Sequence, residues 1–121
     1  GSATAKDNME EYLKNLRLLA LETNKVIVLG SQINRAGTSG EVKEKLPTMA
    51  ELKGSGAIEE VADAIILCHW QYFYTKTPDD KNKYLLIVAK NRVTGLTGYV
   101  PLTFTPEFYR FSEGKQWLNI N

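Results

Sequence analysis

Three small groups of residues in this 121-residue chain have types and spacings that could do chemistry. Gln32 stands just past an apolar run, Val26-Ile27-Val28-Leu29, that stops at Gly30 and turns polar at Ser31, Gln32, Asn34 and Arg35. A glutamine cannot act as a general base, but its amide carries both donors and acceptors. It can therefore orient a water or bind a phosphate oxygen. The plain alternative is an amide that satisfies loop backbone groups. Lys90 and Arg92 lie two apart on a segment that reads as extended, so their side chains project to the same side. Guanidinium geometry suits phosphate oxygens; the plain alternative is a pair of solvated cations at a strand end. Lys53, Gly54 and Gly56 form the third group. Glycines expose backbone N–H groups to a phosphate and Lys53 adds charge, while the plain alternative is a turn between helices.

Cys68 and His69 invite a metal or nucleophile reading. Adjacent residues on a strand point to opposite faces, and with one cysteine and one histidine in the chain no zinc set can be completed. Both are read as structural. The aromatic run Trp70, Tyr72, Phe73 and Tyr74 could stack bases, as single-strand binders do; packing on the chain itself or on a neighbouring subunit is the preferred reading. Asp63, at the start of an apolar strand, is read as a cap.

The elements that must position these residues follow from periodicity. Met9, Leu13, Leu16 and Ala20 recur at helical spacing, which predicts a helix over residues 8–23. Asp7 and Glu10 resemble a capping box at its start, and Asn24 suits a left-handed close. Residues 26–29 read as a strand covered on both faces, as in a parallel sheet, and ligands in such sheets sit beyond the carboxyl ends of the strands. A helix leading straight into that strand is half of a βαβ unit, so the chain looks cut from something larger. Residues 34–47 form a polar loop of a length that is uncommon unless functional or mobile. Thr48 and Glu51 fit a second capping box, for a short helix through residue 52. Residues 57–61 read as another helical turn or two, and residues 63–69 as a strand. Residues 70–82 read as a loop ending in a turn at 77–80. Strands are expected at residues 84–90, 99–105 and 107–111, with a hairpin connection at 94–98.

Composition is that of an ordinary globular chain, 43% hydrophobic and 24% charged. The net charge of +1 argues against whole-domain attraction to nucleic acid or membrane, so any such contact must be local. One stretch, residues 76–92, is locally basic, with Lys76, Lys81, Lys83, Lys90 and Arg92 against Asp79 and Asp80. The lone cysteine excludes an internal disulfide. No apolar run approaches the ~20 residues of a membrane span, and no signal peptide is visible. Gly1-Ser2 looks like an expression-vector remnant.

Taken in order, the motifs carry more than each does alone. S-Q-I-N-R follows an apolar strand; then come L-K-G-S-G-A-I-E-E-V-A-D, a second apolar strand, I-V-A-K-N-R-V-T-G-L-T-G and a terminal hairpin. This order resembles the C-terminal half of the DnaB-type replicative helicase motor, a RecA-like ATPase that forms hexameric rings around single-stranded DNA. The similarity runs over roughly residues 7–111.

The resemblance implies an α/β fold: the C-terminal portion of a RecA-like P-loop ATPase core, with parallel strands, a crossover helix and a closing antiparallel hairpin. It implies that Gln32 contacts the γ-phosphate and links hydrolysis to the DNA-binding loop. Arg92 matches the arginine finger that reaches a neighbour's nucleotide, with Lys90 beside it. Lys53, Gly54 and Gly56 match the loop that grips single-stranded DNA, although the family commonly has Arg-Glu where this chain has Lys53-Gly54. Arg35 and residues 36–45 would face the central channel. The chain has no G-x-x-x-x-G-K-[ST] phosphate cradle, and no strand ending in Asp precedes the first helix. ATP and Mg²⁺ are therefore expected in the intact parent and not in this portion alone, which should not hydrolyse ATP by itself. Expected partners are single-stranded DNA, five further subunits of a homo-hexamer, and replication proteins such as a primase or loader; the expected location is cytoplasmic, at the nucleoid, with no membrane contact. The expected division is residues 1–6 as remnant or linker, 7–112 as motor portion and 113–121 as tail. Two alternatives stay open. Another RecA-family ATPase, such as a recombinase or a clock-type ring protein, would share the fold and the finger without a single-strand preference. A non-catalytic nucleic-acid-binding module resembling an OB-fold would form a closed barrel.

Overall fold

The computed structural model of the protein describes residues 5–35, 45–52 and 54–114. Helix α1 spans Ala5–Thr23. Its stripe turns inward, with Leu13 buried and Met9, Leu16 and Ala20 half-buried, while Tyr12, Leu18, Leu19 and Leu21 stay exposed. The helix starts earlier than the expected cap, so Asp7 lies in its first turn, where a carboxylate complements the positive end of the helix. Asn24 closes the helix at φ 54°, as its residue type allows.

Residues 26–29 depart from expectation. They form no helix or strand and belong to no ladder among the described residues. Val26 and Val28 are 91% exposed. An apolar run says what a segment is suited to cover, not which partner lies beside it, and no described strand pairs with this one.

Past this segment, Ile33 forms an isolated antiparallel bridge with Leu52. Beside it, the Asn34 N–H donates to the Glu51 carbonyl at 2.6 Å. A 3₁₀ turn, Met49–Glu51, carries the expected capping contact: the Thr48 N–H donates to Glu51 Oε1 at 3.1 Å. Helix α2, Ser55–Val61, is entered through Gly54 at φ 74° and ψ 32°, a left-handed conformation that glycine adopts without strain.

Four strands follow: β1 (Ala64–Trp70), β2 (Lys83–Asn91), β3 (Gly98–Thr105) and β4 (Arg110–Glu113). They form one sheet in the order β1-β2-β3-β4, with every neighbouring pair antiparallel. The expected parallel pairing therefore does not occur among the described residues. Among the described residues the sheet is also open, not the closed barrel that the binding-module alternative requires. Alternation along β1 buries Ile65, Leu67 and His69 on one face. With Leu85 and Ile87 of β2 and with Leu52, the apolar members of that face make the core, flanked by Ile33, Leu46, Met49, Ile58, Ala62 and Ala89. Helix α1 packs outside this layer, on α2.

The opposite face is aromatic. Phe104 stacks on Phe111 at 4.6 Å between ring centroids and meets Trp70 edge-on at 5.2 Å. The Trp70 Nε1–H donates to the Lys81 carbonyl at 2.9 Å. Trp70 thus packs within the chain, as preferred. The segment read as a loop holds a five-residue helix α3, Gln71–Thr75, and a 3₁₀ turn at Pro78–Asp80. The last strand begins later than expected because Pro106–Phe108 forms a 3₁₀ turn and Tyr109 takes φ 49°.

Candidate functional site

The register of β1 and β2 slips by one residue next to Lys90: Ile65 pairs with Lys90, but Ile66 pairs with Val88. Such a bulge re-aims the strand beyond it. Immediately after, the Gly95 N–H donates to the Asn91 carbonyl at 2.8 Å, and Gly95 takes φ 73°, turning the chain. Arg92 sits at the start of this turn, its own N–H donating to the Asp63 carbonyl at 2.8 Å.

From here Lys90 and Arg92 do project to one side, onto the carboxyl end of α2. The Lys90 ammonium donates to the Glu59 carbonyl. Arg92 Nη2 donates to the Glu60 carbonyl at 2.8 Å, and Arg92 Nη1 to Asp63 Oδ1 at 3.0 Å. Arg17 of α1 reaches the same oxygen at 2.5 Å and the Val61 carbonyl at 3.3 Å. Cations at the end of a helix offset its unpaired carbonyls and the negative end of its dipole. The hydrogen bond from Arg17 is the main reason the Asp63 carboxyl stays below its ordinary range; slight burial opposes it, and the charges of Arg17 and Arg92 add to it. The Arg92 side chain is 41% exposed, so its guanidinium lies at the surface and not in the apolar interior.

Gln32 is exposed and lies on a different element. Its neighbour Ile33 is bridged to Leu52, two residues before Gly54. Arg35, expected to face a DNA channel, is instead buried, at 7% exposure. Its Nε donates to Glu51 Oε2 at 2.5 Å, its Nη2 to the Lys45 carbonyl at 2.6 Å, and its guanidinium lies 5.0 Å from the centre of the Tyr74 ring. A guanidinium so enclosed is not presented to a phosphate, and the DNA-facing expectation for Arg35 gives way to a structural role. Tyr74 in turn stacks on His69 at 5.5 Å, and His69 Nε2 lies 2.5 Å from Gln71 Oε1. Burial makes the His69 imidazole harder to protonate than in an open chain.

Of the expected DNA-gripping loop, Gly54 and Gly56 are exposed ahead of and within the first turn of α2; Lys53 and residues 36–44 lie outside the described residues. The remaining cations of residues 76–92 are engaged locally: Lys81 with Glu107, Lys83 with Asp80, and Lys76 over the rings of Tyr72 and Phe73. Among the described residues no cluster of His, Cys, Asp and Glu could hold a metal ion, and no helix is long and apolar enough to cross a membrane.

Residues 2–113 match the family model described as the DnaB-like helicase C-terminal domain. The chain belongs to that family. Across 115 residues this DnaB-like chain is 31% identical to the replicative DNA helicase DnaB of Geobacillus stearothermophilus, covering 92% of the chain and 25% of that relative. It is 35% identical over 101 residues to the replicative DNA helicase DnaB of Haemophilus influenzae, covering 84% and 21%. The DnaB-like chain thus spans about a quarter of the length of these curated relatives. Among solved structures it resembles the ATPase domain of G40P, with TM-score 0.79 and 26% identity over 95% of the chain and 39% of that structure. It also resembles a DnaB-like replicative helicase studied for its interactions with primase, with TM-score 0.78 and 28% identity over 92% of the chain and 26% of that structure. The fold is therefore part of the RecA-like ATPase core, although its described sheet is antiparallel.

Two members of the site escape a reading of the DnaB-like sequence. Asp63 reads as a strand cap, and Arg17 draws no notice on a helix whose apolar residues dominate. The signal was present: Arg17 follows Leu13 by four residues and so lies on the inward stripe, where a charge needs a partner.

Proposed function

We propose that this chain is the downstream portion of an ATP-driven replicative DNA helicase, and that it supplies Arg92 to a nucleotide whose phosphates are cradled by a neighbouring subunit. The observation that carries this reading is the end of β2. There Arg92 is anchored through its backbone, partly exposed along its side chain, and accompanied by Lys90 on the same side. Fixed backbone with a surface guanidinium is what a trans-acting finger needs, because charge must be delivered where it develops in the phosphoryl transition state. The residues present fit the outer phosphates of ATP. Without a phosphate-cradle motif they do not fit the whole nucleotide and its Mg²⁺, which the neighbouring subunit would hold. When bound, ATP supplies the free energy of phosphoryl transfer; this chain's part is to bind and neutralise phosphate charge through Arg92 and Lys90. Gln32 serves as the sensor that orients water or a terminal phosphate oxygen. The segment at Lys53, Gly54 and Gly56 meets the DNA backbone. Contact with primase follows by analogy with the solved DnaB-like helicase studied with primase; homo-hexameric assembly and contact with a loader follow from the resemblance to the ring motor.

In the assembled helicase carrying this chain, Arg92→Ala should lower kcat for ATP hydrolysis by about 10³-fold or more, the range reported for finger residues. Single-stranded DNA should still bind, with its usual steep salt dependence. ATP hydrolysis at the unaltered rate in the Arg92→Ala protein would overturn the reading.

A further inference from the structure

Arg17 and Arg92 approach the same atom, Asp63 Oδ1, at 2.5 and 3.0 Å. They come from different parts of the chain, helix α1 and the turn that follows β2. One carboxylate thus serves two cations, and the shorter contact belongs to Arg17. If Arg92 leaves, Asp63 keeps a partner. If Arg17 were absent, the departure of Arg92 would strand a carboxylate beside an incoming anion, and the two would repel. The backbone bond from Arg92 N–H to the Asp63 carbonyl, at 2.8 Å, holds the main chain in place while the side chain changes partner. The Asp63 side chain is 61% exposed, so the ion pair that must be broken is a weak one.

We propose that Asp63 is a positioning residue for Arg92: it holds the guanidinium against the end of α2 until a phosphate arrives, and Arg17 neutralises the carboxylate throughout the exchange. This rests on the reading of Arg92 as a phosphate-facing residue and adds how that residue is held and released. Arg17, Asp63 and Arg92 act together as an exchange in which phosphate replaces one carboxylate contact and leaves no anion unpaired.

The test uses the 121-residue chain, labelled with ¹⁵N, and tripolyphosphate as the probe. Side-chain Nε–Hε signals of Arg17 and Arg92 are followed by NMR, and thermal unfolding of every variant is recorded. Tripolyphosphate should move the Arg92 signal in the unaltered chain. Asp63→Asn should tighten tripolyphosphate binding at Arg92 by about two- to fivefold, the range that loss of an exposed ion pair allows; Asp63→Glu should restore the original affinity. Arg17→Ala should weaken binding by a similar factor, and this variant carries the test if Asp63→Asn fails to fold. Glu60→Gln removes the same charge from the same helix end, so an equal gain in affinity there would reduce the effect to net charge and overturn the proposal. A lowered unfolding temperature in Asp63→Asn with no gain in affinity would also overturn it. If Arg92→Ala abolishes binding while Asp63→Asn and Arg17→Ala match the unaltered chain, only the positioning proposal fails. If Arg92→Ala binds as before, the phosphate-facing reading of Arg92 fails with it.

Discussion

Arg35 and Glu51 form an ion pair at 2.5 Å, with the guanidinium side chain 6% and the carboxylate side chain 22% exposed. The pair ties the residues just after Gln32 to those just before Gly54. The Ile33–Leu52 bridge and the Asn34–Glu51 backbone bond reinforce the same junction. These contacts join the segment that follows Gln32 to the one that precedes α2.

Removing one member of that pair leaves the other buried without its counter-ion. Glu51→Ala should destabilise the chain by about 3 kcal/mol, at the lower end for a broken buried pair because the carboxylate is partly exposed. Urea unfolding of the single variants and of the Arg35→Leu/Glu51→Leu double variant checks this. The double variant should recover part of the loss, since it leaves no orphaned charge.

His69 gives a pH dependence with a definite sign. Burial is the first cause lowering its pKa from the ordinary 6.5, and the Gln71 contact opposes it. The unfolded chain therefore takes up a proton that the folded chain resists. Stability should be level above the ordinary histidine range and should fall as pH drops through it toward the folded pKa. Unfolding midpoints measured between pH 7.5 and 5.5 should show the decline, and His69→Gln should flatten it. The carboxyls of Asp63 and Glu107, both held low, also favour folding less as pH falls, but in the ordinary carboxylate range below this window.

The two glycines at the start of α2 should respond in opposite directions. Gly54 has φ 74°, and an added Cβ would lie 3.4 Å from the Met9 side chain. Gly54→Ala should cost about 1 kcal/mol, mostly for the left-handed backbone. Gly56 is helical, with nothing within 4 Å of an added Cβ. Gly56→Ala should stabilise by about 0.5–1 kcal/mol. If this turn grips DNA through exposed N–H groups, both substitutions should weaken single-strand binding whatever they do to stability, which a salt-matched binding titration would show.

Much of the fold was legible because its signals are local. The stripe from Met9 to Ala20, the left-handed Asn24 and the Thr48–Glu51 capping contact all concern neighbours in sequence, and they appear as read. Strands β1 and β2 fall within a residue of expectation, though with a bulge that no pattern announces. Helix α3 leaves no such signal, because five residues, three of them aromatic, are too few to show a period. Parallel pairing does not follow from residues 26–29, whose continuous apolar character suits a buried strand without naming its neighbours. At the candidate site, the common side of Lys90 and Arg92 followed from their spacing. Their contacts with α2 did not, because Asp63 and Arg17 lie 29 and 46 positions apart from their partners in sequence. The setting of Arg35 is hidden for the same reason: a cation after a glycine-flanked apolar run looks solvent-bound until Glu51 and Tyr74 are brought to it.

The most direct measurement mixes two crippled forms of the assembled helicase that carries this chain. One has Arg92→Ala with an intact phosphate cradle; the other has Arg92 intact and the cradle lysine replaced. If Arg92 completes a neighbour's pocket, each form alone should be nearly inactive, and mixed rings should regain ATP hydrolysis in proportion to the junctions that pair a sound cradle with a sound Arg92. If the Arg92→Ala form hydrolyses ATP at the full rate alone, or if no mixture recovers activity, the chain does not supply the finger.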